Sequence, residues 1–308
     1  MKVTFDILSR EEWVGFHESH HGSLQQAWAY GDAMDAMKVR VHRAVVRERD
    51  KIVAIAQFIC RRYLGYISLA SCSRGPVFDP DLSAAQRRAV YVLLRQQMPL
   101  PRWRAVLFSP DVPLAAMDPI EVKGLSRVMT GYSTVMLDLQ RPLDEIKAGL
   151  EGKWRNRLTK ALAQPQIRVQ VQSSLKRCQW LLGKEQEQRE AKKFHGLPTG
   201  FVDAYIAALP QKEQAFVVAY AELGKNTIAA MLFLVHGRVA SYHMGWADDE
   251  GRQSNAHNLL LWKALAHFQQ MDIHLLDLGG INTHDLAGIS RFKLGTGGQV
   301  LTLAGTYL

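Results

Sequence analysis

Of the residues able to do chemistry, Lys293 has the most distinctive setting. It stands in SRFKLGTGG, directly after Phe292 and just ahead of a turn holding Gly295, Gly297 and Gly298. Glycines in such a turn let backbone approach a ligand closely. The same residues also fit a plainer arrangement, with Phe292 in the core and Lys293 a solvated charge at a helix end. Tyr242, in SYHMGW, falls on a strand, where half-buried packing is the usual role of a tyrosine. His243 beside it is expected on the opposite sheet face. Asp277, in LDLGG, can orient an amine or accept its proton, or it can cap the glycine turn that follows. The segment KWRNRLTKALA gathers Lys153, Arg155, Arg157 and Lys160 without an acid, while Trp154, Leu158 and Ala161 are spaced to face a core. A one-sided basic helix of this kind can track RNA phosphates.

Other chemistries are disfavoured. Cys60, Cys72 and Cys178 are odd in number and widely spaced, with no CxxC, which argues against a disulfide framework or a zinc site and fits a reduced compartment. The histidines (His20, His21, His243, His257 and His284 among them) lack metal-ligand spacing, so no metal is expected. No stretch approaches the ~18–20 apolar residues of a membrane helix, and the N-terminus MKVTFDILSREEW has charges where a signal peptide needs an apolar core. A cytoplasmic protein is the expectation, with peripheral membrane association left open. The net charge of +9 points to an anionic partner such as RNA, nucleotide phosphates, coenzyme A or a membrane surface, or else to a generally basic, soluble surface.

The elements that must hold these residues repeat. A length of 308 residues suits two domains, and 47% hydrophobic residues suffice for two cores. VHRAVVRE, KIVAIAQFICR and YLGYISLAS read as a meander, followed by the loop SRGPVFDP, a helix over 83–97 and the strand RAVLFSPD. The second half repeats that order about 175 residues later, with KIVAIAQF lying against NTIAAMLF; a helix over 258–270 and the strand HLLDLGG close it. Each copy predicts a mixed sheet crossed by a helix, an α/β (α+β) fold. Between the copies, 143–163 reads as one helix weakened at Gly152 and ended by Pro165. The predicted domains are 1–141 and 142–308. No heptad or long apolar edge appears, so a monomer is expected.

The segments SLQQAWAYGDAM, SRGPVFDP, KWRNRLTKA, LDLGGIN and GISRFKLGTGGQVLTLAGTYL resemble, in this order, the FemABX family of aminoacyl-tRNA-dependent peptidyltransferases. The resemblance spans nearly the whole chain, and FKLGTGG is its most specific part. It implies two tandem GNAT-like acyltransferase domains sharing a cleft, in the smaller type that lacks a helical arm. It also implies transfer of an aminoacyl group from tRNA to an amine of a nucleotide- or lipid-linked peptide, such as a peptidoglycan precursor. Because the ester is already activated, positioning, oxyanion stabilisation and a proton path suffice without a side-chain nucleophile. Aminoacyl-tRNA is then a co-substrate and no cofactor is needed.

By this resemblance Lys293 sits near the transferring carbonyl, Phe292 stacks on the tRNA end, and Tyr242 faces the reacting groups. Gly295, Gly297, Gly298, Arg155, Arg157 and Lys160 are grouped with the donor. Arg189 matches an arginine that clamps the acceptor diphosphate with its planar fork, and Trp28 and Arg74 fall with it on the acceptor side. A lysine follows that tryptophan closely in members with nucleotide-linked acceptors. Here Met34 stands in its place, and Lys38 is the available substitute.

Two other readings compete. Acyl-CoA-dependent N-acyltransfer is common in GNAT-type domains, but GRQSNAH and DPDLSAAQ lack the glycine spacing of a pyrophosphate turn. A non-catalytic RNA- or peptide-binding module is the third. Against a general nucleic-acid binder, no interleaving of aromatic and basic residues along one sheet is evident in the sequence.

Overall fold

The computed structural model describes residues 1–101, 103–192, 200–281 and 287–308, with the side chains of 189–192 outside what is described. Contacts divide the chain into two units, 1–133 with 302–308, and 134–301.

Unit 1 begins with β1 (Lys2–Phe5), α1 (Arg10–Ser19), α2 (Trp28–Ala36), β2 (Arg40–Glu48) and β3 (Lys51–Tyr63). It continues through β4 (Ile67–Ser73), β5 (Val77–Phe78), α3 (Ala84–Gln97), β6 (Arg104–Ser109) and β7 (Arg127–Met129). Unit 2 holds β8 (Ser133–Asp138), α4 (Leu143–Gly149), α5 (Gly152–Leu162), β9 (Ile167–Gln172), α6 (Leu175–Lys192) and α7 (Gly200–Ala208). Then follow β10 (Phe216–Leu223), β11 (Asn226–His236), β12 (Val239–Ala247), α8 (Asp249–Gln253), α9 (Ala256–Gln270), β13 (Leu275–Gly280), α10 (Ala287–Leu294) and β14 (Gln299–Thr302). The chain ends with β15 (Thr306–Tyr307), which belongs to unit 1.

Each unit is built on one mixed sheet. The first has the order β1-β2-β3-β4-β6-β15-β7 with β5 on β3, and the second β14-β8-β13-β12-β11-β10-β9. In unit 1, α3 packs Val90, Tyr91 and Leu94 onto Phe58 and Phe108, while Trp13 of α1 packs with Val45 and Ile55 in a separate cluster. Ala44, Val45 and Val46 thus alternate between clusters, as a strand covered on both faces requires. In unit 2, α4, α5 and α9 share one large core with the central strands through Ile146, Trp154, Leu158, Leu260 and Phe268.

The duplication is visible in the register. Glu48 pairs with Lys51 as Leu223 pairs with Asn226, and a β-bulge follows Val46 as one follows Ala221. The parallel pair begins at Ser68–Arg104 in one copy and Val239–Leu275 in the other.

Three expectations differ from the observed fold. The chain divides at 133/134 instead of 141/142, because β8 pairs with β13 and so completes the second sheet. Residues 302–308 return to unit 1, where Tyr307 is paired with Phe108 and Arg127. The predicted helix over 143–163 is two helices, broken at Leu150–Glu151, where the Glu151 amide donates to the Gly295 carbonyl.

Candidate active site

The two copies differ at their parallel strands. In unit 1, β4 and β6 stay paired for six residues, from Ser68–Arg104 to Ser73–Ser109. In unit 2, β12 and β13 pair only at Val239–Leu275, Ala240–Leu276 and Ser241–Asp277, after which the strands part. Ligands of open α/β sheets bind outside the carboxyl ends of strands, where neighbours diverge. The residues immediately past this fork are Tyr242 on β12 and Leu278–Gly280 on β13.

Lys293, on α10, reaches into this region. It is buried, its Nζ donates to the Gly280 carbonyl at 2.8 Å, and it lies 5.6 Å from the centre of the Tyr242 ring. Burial pulls its pKa down to about 8, with the Asp277 carboxylate pulling it back up. Asp277 is itself buried and accepts from Thr134 Oγ1 at 2.6 Å and from the Gly279 amide at 2.8 Å. Its carboxylate therefore holds the Gly279 turn, as a strand-end cap does. Burial raises the Tyr242 pKa, so its hydroxyl stays protonated. A side chain at Gly245 would collide with that hydroxyl, so the glycine makes room for it. A bulge between Leu232 and Phe233 leaves Tyr242 opposite Phe233, while the His243 ring lies 6.0 Å from Phe201 of α7.

The rest of the FKLGTGG segment is occupied within the fold. Phe292 is half-buried against the core, 5.8 Å from Trp154, whose indole donates to the Phe292 carbonyl at 3.0 Å. The glycine turn ends α10, with Thr296 Oγ1 donating to the Lys293 carbonyl at 2.6 Å. Gly297 has φ +70°, and a Cβ there would strike the Gly149 carbonyl; one at Gly298 would strike Val135 and the Met136 carbonyl. These glycines permit close packing against α4 and β8. Gly297 and Gly298 also line a 320 Å³ pocket with Asp138, Arg141 and Gly149.

On α5 the expected division of faces is present, with Trp154, Leu158 and Ala161 buried and Lys153, Arg155, Arg157 and Lys160 exposed. Arg155 is committed to the carbonyls of Ala148 and Leu150, both at 2.9 Å, so it satisfies the end of α4. Arg157 and Lys160 point to solvent.

The acceptor-side residues fall in unit 1, apart from Arg189, whose side chain lies outside the described residues. Trp28 carries the Arg43 guanidinium 3.8 Å above its ring and meets Trp13 edge-on at 6.0 Å, which is packing. Gln26 in the same motif accepts from the Gln57 amide at 2.7 Å and donates to the Ser73 carbonyl at 2.8 Å, tying the loop to the sheet. Arg74 pairs with Asp111 at 2.8 Å and lines a 240 Å³ pocket with His20, His21 and Arg87. Lys38 is exposed, at a left-handed φ of 63°, and Met34 is buried in α2.

All three cysteines are buried and free. Burial holds each thiol above its ordinary range, Cys60 and Cys178 at about 12, which rules out a ready thiolate. Among the described residues, no group of acidic, histidine and cysteine side chains is arranged to hold a metal ion.

One feature escaped the sequence. Trp180 of α6 and Trp246 of β12 meet edge-on at 5.2 Å in a 530 Å³ groove that also includes Arg177, Lys184 and Lys225, with Asp248 the one acid in its lining. Aromatic and basic groups are thus combined on unit 2, though not along one sheet. The partners come from a helix, a strand and a turn, so no single stretch of sequence displays them.

Residues 151–294 match the family model described as an acetyltransferase (GNAT) domain. The chain is similar in structure to FemX, with a TM-score of 0.83 at 14% identity, covering 100% of this chain and 96% of that one. It is also similar to the C-terminal domain of a putative lysylphosphatidylglycerol synthetase from Agrobacterium fabrum (TM-score 0.57, 14% identity, 97% and 91% covered). A tandem GNAT protein from the clavulanic acid biosynthesis pathway gives a TM-score of 0.50 at 14% identity, with 99% and 98% covered. No curated protein matches in sequence. The fold is a tandem GNAT fold, with the family-model match falling in unit 2.

Proposed function

We propose that this protein is an aminoacyltransferase that moves an amino acid from aminoacyl-tRNA to an amine of a peptide or peptidoglycan-precursor acceptor. The observation that carries this reading is the buried Lys293 ammonium at the fork of β12 and β13, 5.6 Å from the centre of the Tyr242 ring. The acceptor nitrogen attacks the ester carbonyl, the new C–N bond forms, and the bond to the ribose 3′-oxygen breaks. Lys293 stabilises charge developing on the carbonyl oxygen, an effect typically worth 10²–10³ in rate. Tyr242 passes a proton from the amine toward the leaving oxygen. The Trp180–Trp246 groove supports an RNA donor, since bases stack on aromatic faces beside cations. The segment into α9, Asp248 and the short helix α8, lacks the glycine spacing of a pyrophosphate turn, which weighs against coenzyme A.

Acyl-CoA-dependent N-acylation is the second reading, favoured by the acetyltransferase (GNAT) match over 151–294. The two are separated by incubating the protein with tRNAs charged with labelled amino acids, UDP-linked muropeptides and small amines. Transfer of label to an amine, reduced at least about hundredfold by Lys293→Ala, is the expected result. Turnover with acetyl- or longer acyl-CoA, and none with any tRNA, would replace the first reading by the second.

A further inference from the structure

The β3–β4 hairpin of unit 1 is longer than its copy in unit 2. Between the matching positions Cys60 and Ser68 lie seven residues, 61–67, where three, 236–238, separate Val235 from Val239. The copy closes tightly on Gly237 and Arg238, whereas the longer hairpin carries Arg61, Arg62, Tyr63, Leu64 and Tyr66. Its side chains do not pack back onto the sheet. Leu64 is 78% exposed, Tyr66 58% and Tyr63 48%.

Trp103, 73% exposed, stands beside this tip. Its carbonyl accepts from the Ser68 amide at 2.8 Å, and Ser68 pairs with Arg62 across the hairpin. Arg40 begins the adjacent strand opposite Cys60, so its charge lies at the same end of the sheet. Neither 61–67 nor 98–104 contains an aspartate or glutamate. Single exposed apolar residues are ordinary, but a cluster of this kind marks a contact surface. Exposed Trp, Tyr and Leu at adjoining tips, rimmed by arginines and free of acids, match the preferences of a membrane interface. Amphipathic rings settle at headgroup depth, and basic side chains attract anionic lipid.

We infer that the β3–β4 tip and Trp103 form a docking surface for an anionic lipid bilayer, holding the protein peripherally at the membrane. The inference rests on unit 1 alone and is independent of which donor unit 2 uses.

Co-sedimentation with vesicles tests it. The protein is expected to bind vesicles containing about one-third phosphatidylglycerol, not pure phosphatidylcholine, and to release as salt is raised. The double variant Arg61→Gln/Arg62→Gln should bind about thirtyfold more weakly, with an unchanged melting temperature. Brominated lipids should quench tryptophan emission in the parent and distinctly less in Trp103→Phe. Failure of the parent protein to bind anionic vesicles at low salt would overturn the inference, as would undiminished binding by the double variant. Loss of homopolymeric RNA binding in that variant, with vesicle binding absent throughout, would identify a polyanion surface instead.

Discussion

Lys293 is held in a state that costs the fold something. Its pKa of about 8 lies below the ordinary 10.5, because burial disfavours the charged form. If the ammonium is the working form, kcat falls as pH rises through about 8, whereas a lysine acting as base would give a rise. A pH–rate profile decides this, and Lys293→Arg, where it supports turnover, should keep the rate flat past pH 9. Stability has its own sign. The unfolded chain binds this proton more tightly than the folded one, so Lys293 penalises folding fully below about pH 8. The penalty is relieved as pH rises from there toward 10.5. Lys293→Met should therefore melt higher than the parent at pH 7 and lose that advantage by pH 10, while turning over poorly. The lysine was legible in FKLGTGG; its burial was not. Its hydrogen-bond partner, Gly280, lies across a turn on β13, and nothing local distinguishes a solvated helix-end lysine from one that points inward. Likewise, Phe292 reads equally well as a stacking surface or as the packing partner of Trp154.

Among the elements, the glycines separate into those that space demands and those it does not. Gly297→Ala combines a left-handed φ with a collision against the Gly149 carbonyl and should destabilise by about 3 kcal/mol or more in a thermal melt. Gly152→Ala, at the start of α5 with open space around its would-be Cβ, should be neutral or slightly stabilising. The repeated meander was readable because each strand carries its own apolar pattern, and the copies share even a bulge. The fork between β12 and β13 was not readable. Whether two parallel strands stay paired depends on residues more than thirty positions apart, such as Ser241 and Asp277, and both copies show similar strand patterns. The Trp180–Trp246 groove was hidden for the same reason. Trp246→Ala should raise KM for an RNA donor with little change in kcat, a split measurable by steady-state kinetics.

At the level of the molecule, the second sheet borrows β8 from the N-terminal side of the predicted boundary, and the first recovers its last strand from residues 302–308. Leu303, Ala304 and Tyr307 are buried there, and the amides of Leu303 and Ala304 donate to the carbonyls of Tyr132 and Val112 at 3.0 and 2.9 Å. Ser126 and Leu308 exchange two bonds, each of 2.9 Å. Removing 302–308 should therefore expose β6 and β7 to limited proteolysis while leaving the sheet of unit 2 protected. The sequence placed that tail in the C-terminal domain because proximity along the chain is the natural guide, and a short strand carries too little pattern to announce a distant partner. The arrangement also sets an order of assembly during synthesis. A ribosome adding ~5–20 residues per second must make all of 134–301 before β15 exists, a wait on the order of ten to thirty seconds. Throughout it the earlier-made sheet has β6 and β7 without the strand that joins them, so the unit begun first is the one finished last.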